Sequence, residues 1–151
     1  MNIRRMALWA ALGALLAAPI TWATAQSTSA FNAASAAKPH KLVLQVSDAD
    51  PAKWRLALNN ARNVPDDLGR DKVAVEIVAY GPGIGMLKLD SVVGAGVAEA
   101  MAAGVSVVAC EITMKGQKIT RDDMLPKISY VPAGVVQLMQ RQKEGYAYVR
   151  P

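Results

Sequence analysis

The run Val105-Ser106-Val107-Val108-Ala109-Cys110-Glu111 constrains the fold more than any other stretch of the chain. It is short, apolar and β-branched, the pattern of a strand buried on both faces of a parallel sheet. Parallel neighbours cannot be joined by a tight hairpin and need a crossover, usually a helix. One such strand therefore commits the chain to alternating strands and helices. The run ends in the single cysteine of the sequence, and Glu111-Ile112-Thr113-Met114-Lys115 continues with helical character. A thiol at the carboxyl end of a strand, just before a helix, lies where open α/β sheets place ligands and chemistry.

The rest of the chain repeats this rhythm. Lys41 to Ser47 reads as a first strand. Asp50 then caps a helix that Pro51 opens, and Trp54, Ala57, Leu58, Ala61 and Val64 give its apolar stripe. The segment Pro65 to Gly69 ends it. Val73 to Tyr80 is a second strand, followed by Gly81-Pro82-Gly83-Ile84-Gly85. Gly81, Gly83 and Gly85 allow close backbone approach and offer N–H groups to an anion, although a tight structural turn fits them as well. The spacing is not that of a dinucleotide fingerprint, and Pro82 removes a donor. Ser91 is expected to cap a helix to about Ala103, buried through Val93, Val97, Ala100 and Met101 and stopped by Gly104. After Cys110, a short helix runs to Lys118, and Thr120 caps another with Asp122 and Asp123 in its first turn. Capping accounts for that acidic pair. Ile128 to Val131 is a fourth strand. Pro132 opens a last helix with Val135, Leu138 and Met139 inward and Gln137, Gln140, Arg141 and Lys143 outward. Tyr146 to Val149 is a fifth, edge strand. Right-handed crossovers then give a three-layer α/β/α domain around a mostly parallel sheet of about five strands.

Residues 1–25 read as a secretory signal: Arg4-Arg5, an apolar stretch from Met6 to Ile20, and the small-x-small site Ala23-Thr24-Ala25. Fifteen apolar residues fall short of the roughly 20 that span a bilayer, so cleavage after Ala25 and a periplasmic or secreted product are expected, with no membrane attachment afterwards. The paired arginines also admit twin-arginine export. Residues 26–40, rich in Ser, Thr, Ala and Asn, read as a flexible linker, and 41–151 as the domain. Losing Arg4 and Arg5 lowers the formal charge of +5 by two, to +3, too mild for a nucleic-acid binder. Only 5% of residues are aromatic, which leaves no base-stacking platform. No ligand spacing links Cys110 to His40, so no metal is expected, and no cofactor motif is present.

The stretches Asp50-Pro51-Ala52-Lys53-Trp54, Ala57 to Ala61, Val75 to Gly83, Ala102 to Val105, Ala109-Cys110-Glu111 and Val131 to Val135 resemble the DsrE/DsrF-like (YchN-like) sulfur-relay family. The resemblance covers the whole mature domain. It implies a three-layer fold, assembly into homo-trimers or hexamers, and a cysteine near the end of the central strand that accepts a persulfide and passes it on. Cys110 matches that position. The resemblance thus implies an exported sulfur carrier or sulfurtransferase-like protein, with a sulfur donor or acceptor protein as partner and the Gly81–Gly85 loop covering the thiol. A second reading stays open: a non-catalytic ligand-binding or oligomeric interaction module in which Cys110 is a packing residue. Two local effects oppose each other at the thiol. The Glu111 carboxylate disfavours thiolate, while N–H groups at the helix start favour it.

Overall fold

The structure, a computed structural model, describes Lys38 and His40–Pro151. The expected signal segment and nearly all of the linker lie outside the described residues. Five strands, β1 (His40–Val46), β2 (Val73–Ala79), β3 (Ser106–Cys110), β4 (Ser129–Val131) and β5 (Ala147–Val149), form one sheet in the order β4-β3-β2-β1-β5. Every strand pairing is parallel. The helices are α1 (Pro51–Leu68), α2 (Gly94–Ala102), α3 (Glu111–Gly116) and α4 (Gly134–Lys143), so the chain is an α/β protein.

Two cores of unequal size separate the layers. Leu42, Leu44, Val46, Val75, Ile77, Ala79, Val107 and Ala109 face one side, against Trp54, Ala57, Leu58 and Ala61 of α1, Val97 and Ala100 of α2 and Met114 of α3. The alternate residues Val43, Val78 and Val108 face the other side, against Leu138 of α4. The same alternation puts Cys110, two residues after Val108, on the α4 side.

Local rules explain most boundaries. The Asp50 carboxylate accepts the Ala52 N–H at 2.8 Å and starts α1 with Pro51 in its first turn. Pro65 does not stop this helix, which runs on to Leu68 with Pro65 buried in its last turn. The five residues after β2 are not a simple turn. They enter a 3₁₀ helix, Gly81–Leu87, that buries Gly83, Ile84, Met86 and Leu87. A side chain on Gly83 would collide with the Val46 carbonyl, so glycine there lets this segment lie directly on the end of β1. Ser91 accepts the Val93 N–H at 3.4 Å, but α2 begins later, at Gly94. Thr120 starts a three-residue 3₁₀ turn, Arg121–Asp123, as its expected cap, and forms a reciprocal capping box with Asp123.

Helix α4 departs from the sequence expectation. It starts at Gly134, and of its three expected inward residues only Leu138 is buried, while Val135 and Met139 are about half exposed. Gln137 and Arg141 turn inward instead. The cause is Glu76, which sits in an otherwise apolar strand and is 3% exposed. Arg141 donates to it through Nη2 at 2.8 Å and Nε at 3.0 Å, and Gln137 Nε2 donates at 2.7 Å. A buried carboxylate must be partnered, so the helix presents its polar groups to the sheet and leaves apolar ones to solvent.

Candidate functional site: the Cys110 thiol

Cys110 ends β3 and is the N-cap residue of α3. Its side chain is buried, with the residue 4% exposed. The thiol faces the place where α3 and α4 both begin. Pro132, just before α4, accepts the Ile112 N–H at 3.1 Å, which ties the start of α3 to the end of β4. The first residue of α4 packs against Tyr80, the residue that follows β2. An ideal Cβ on Gly134 would lie 2.9 Å from Tyr80 Cβ, so only glycine lets the α4 N-terminus sit this deep.

This packing decides the protonation preference of the sulfur. Burial is the largest single influence on Cys110 and pushes its pKa up. Hydrogen bonds from the Thr113 hydroxyl and from the Thr113, Gly134 and Ile112 N–H groups outweigh it and hold the thiol below its ordinary value. By contrast, the neutral thiol has one long contact, from Sγ to the Pro132 carbonyl at 4.0 Å. Several donors and one distant acceptor suit an anion better than an S–H. The neighbouring Glu111 carboxylate is taken up by Arg121 at 2.6 Å, and the Arg121 guanidinium also lies 4.3 Å from the Tyr130 ring centre.

Gly81, Gly83 and Gly85 lie in the 3₁₀ segment after β2. The Gly81 N–H donates to Thr113 Oγ1 at 2.9 Å, and the Gly83 N–H to the Tyr80 carbonyl at 3.1 Å. Gln117 Nε2 donates to the Gly81 carbonyl at 3.1 Å. The glycine segment is therefore tied to α3 through Thr113 and Gln117. Sequence reasoning missed Thr113 and Gly134. Thr113 is three residues beyond the N-cap, the position whose side chain folds back over the cap, and that spacing was the available signal. Gly134 could be found only from its contact with Tyr80. His40 is exposed at the start of β1, the opposite end of the sheet from Cys110, and among the described residues no group of acids, His and Cys could hold a metal.

The model of the DsrE/DsrF-like family matches residues 15–151. The chain belongs to the DsrE/DsrF-like family. Its fold is similar to the solved structure of a protein of unknown function, MTH1491 from Methanobacterium thermoautotrophicum, with 34% identity and a TM-score of 0.71 over 74% of this chain and 99% of that one. Comparison with curated proteins gave no match.

Proposed function

We propose that this DsrE-family chain is an exported sulfur carrier, sulfurtransferase-like in its chemistry, with Cys110 as the sulfur-accepting nucleophile. The observation that carries the reading is the set of donors around Cys110, which holds the thiol below its ordinary value despite burial. A thiolate is the form that attacks sulfane sulfur. In the proposed step the Cys110 thiolate attacks the outer sulfur of a persulfide R–S–SH. A new S–S bond forms, the bond from R–S to the outer sulfur breaks, and R–S⁻ leaves with the electron pair. No oxidant or resident cofactor is consumed. A second thiolate then takes the outer sulfur by the same exchange.

In this reading the protein works in the periplasm after signal cleavage and meets a sulfur donor or acceptor protein there. Copies assemble into a homo-oligomer, a trimer or hexamer as the family resemblance implies. The outward face of α4 supports self-association, because Val135, Val136 and Met139 leave it apolar, each more than half exposed.

One observation favours the second reading. A residue 4% exposed behaves as a packing residue unless something opens to it. Iodoacetamide labelling of the native protein across pH, followed by mass measurement after polysulfide treatment, tests both. The carrier reading expects labelling of the folded protein with a midpoint below the free-thiol value of ~8.5, and a gain of sulfur on Cys110. Labelling only after denaturation, with no sulfur gained, overturns it and leaves a structural cysteine in an interaction module.

A further inference from the structure

We propose that the cleft between α1 and α2 binds a small organic anion, a carboxylate on a short apolar body, with Arg55 and Arg62 taking the carboxylate. The cleft lies on the α1 side of the sheet, whereas Cys110 faces α4. The inference therefore goes beyond the reading of the thiol and stands without it.

The cleft has a volume of about 230 Å³. Ordinary small-molecule sites begin near ~300 Å³, so the ligand it suits has few heavy atoms. Helix α1 lines it with Arg55, Leu58, Asn59 and Arg62, and α2 with Gly96 and the N-cap residue Val93. The four α1 positions are spaced i, i+3, i+4 and i+7, which puts them in one stripe. Arg55 and Arg62 are then about 10 Å apart along the helix axis and bracket the residues between them. Leu58 and Val93 are buried and give the cleft an apolar floor. A Cβ on Gly96 would stand 3.2 Å from Leu58 Cδ1, so glycine lets the two helices meet closely at this floor.

The two guanidiniums are available to an anion. Arg55 is exposed and, among the described residues, enters no ion pair. Arg62 is oriented by Asn59, whose Oδ1 accepts from Nη2 at 2.8 Å, which leaves the Asn59 amide NH₂ as a further donor. Its carboxylate neighbour is Glu99, at 3.8 Å from Nη1 to Oε2, with side chains 48% and 68% exposed. That separation is too long for a hydrogen bond, and exposed pairs of this kind contribute little. A ligand carboxylate can therefore displace Glu99 at small cost and gain the planar donor fork of arginine. Arginine forks suit phosphate as well, and the floor decides between the two. Inorganic phosphate has nothing to lay on Leu58 and Val93, whereas a short-chain carboxylate has.

The test is a titration of the protein with acetate, butyrate and inorganic phosphate at constant ionic strength. Binding is followed through the NMR shifts of the Gly96 amide and the Arg55 and Arg62 guanidiniums. A fully buried methylene is worth about fourfold in affinity, so the two that butyrate adds, each half covered in an open cleft, should make it bind roughly fourfold tighter than acetate. Phosphate should bind more weakly than butyrate. Arg55→Gln and Arg62→Gln change exposed side chains and leave the fold intact; each should weaken butyrate by about three- to tenfold, and the pair together should abolish saturation. Glu99→Gln removes the competing carboxylate and should bind butyrate at least as tightly as the native chain. No saturable shift with butyrate, equal affinity for acetate and butyrate, tighter binding of phosphate than of butyrate, native-like binding by the double variant, or weaker binding by E99Q each overturns the proposal.

Discussion

Gly134→Ala perturbs the candidate site through packing alone. The added Cβ would stand 2.9 Å from Tyr80 Cβ, 3.1 Å from Cδ1 and 3.2 Å from Cγ. Tyr80 Cβ is attached directly to the backbone at the end of β2, which is bonded to β1 on one side and β3 on the other, so it cannot retreat. The α4 N-terminus must move instead, by at least about 0.5 Å to pass from 2.9 Å to the ordinary contact range that begins at 3.4 Å. Overpacking of this kind costs about 1–3 kcal/mol. Alanine returns up to ~1 kcal/mol through its helix propensity. With that full offset the net loss is up to about 2 kcal/mol, a fall in Tm of up to roughly 8 °C for a domain of this size. The same retreat draws the Gly134 N–H away from Cys110, one of the donors that hold the thiol low. The labelling midpoint of Cys110 should therefore move up while Tm falls. Thermal unfolding by circular dichroism and labelling against pH measure the two effects on one sample. Gly116→Ala is the control, since its Cβ would meet nothing within 4 Å, and it should leave both unchanged or raise Tm slightly. If Gly134→Ala matches that control in both measurements, the close seat of α4 is not what shapes the site.

Three more outcomes follow. Arg141→Leu removes two of the three hydrogen bonds to a carboxylate that is 3% exposed, which should cost about 3–5 kcal/mol, or roughly 12–20 °C in Tm at about 4 °C per kcal/mol. The double variant Glu76→Leu, Arg141→Leu should recover most of that loss, and urea unfolding of the two variants and their parent decides it. The double substitution Val136→Glu, Met139→Glu, at side chains already exposed on α4, should dissociate the proposed homo-oligomer without unfolding the domain, as read by sedimentation. Finally, the Cys110 thiol titrates below its ordinary value when folded, so between that folded value and ~8.5 the unfolded chain binds more protons. Stability should rise with pH across this window, be fully present above it, and fall away as pH drops through the folded value. Cys110→Ser should lose that slope in denaturant titrations at several pH values.

The sheet was legible because each strand is a short apolar run and the first four are followed by a helical segment, as Asp50-Pro51 shows for α1. Its parallel sense follows from crossover rules that need no knowledge of side-chain contacts, whereas the order β4-β3-β2-β1-β5 was not read from the sequence. What stayed hidden was every feature set by contact across the layers. The inward turn of Gln137 and Arg141 depends on Glu76, 61 and 65 residues earlier in the chain. A hydrophobic-stripe argument places Val135 and Met139 inside, because it assumes that the surface they meet is apolar. At the site, Cys110 was visible from its position at the strand end. The partners that decide its chemistry come from the starts of two helices, and their convergence depends on Tyr80 and Gly134 meeting.

Burial and reactivity of Cys110 are compatible when the groups that bury it are donors. Water stabilises an exposed thiolate, and taking the water away raises the pKa unless fixed dipoles replace it. Here three N–H groups and one hydroxyl provide the replacement, and each is held by structure that exists before any sulfur arrives. Ile112 is 65% exposed and Pro132 is also exposed, although both belong to the segments that enclose the sulfur. In the carrier reading proposed above, the inner sulfur of a persulfide on Cys110 is the leaving atom of the onward transfer and lies among the donors. Those donors lower the energy of the thiolate that departs in that step, so the geometry that favours accepting sulfur as a nucleophile also favours releasing it.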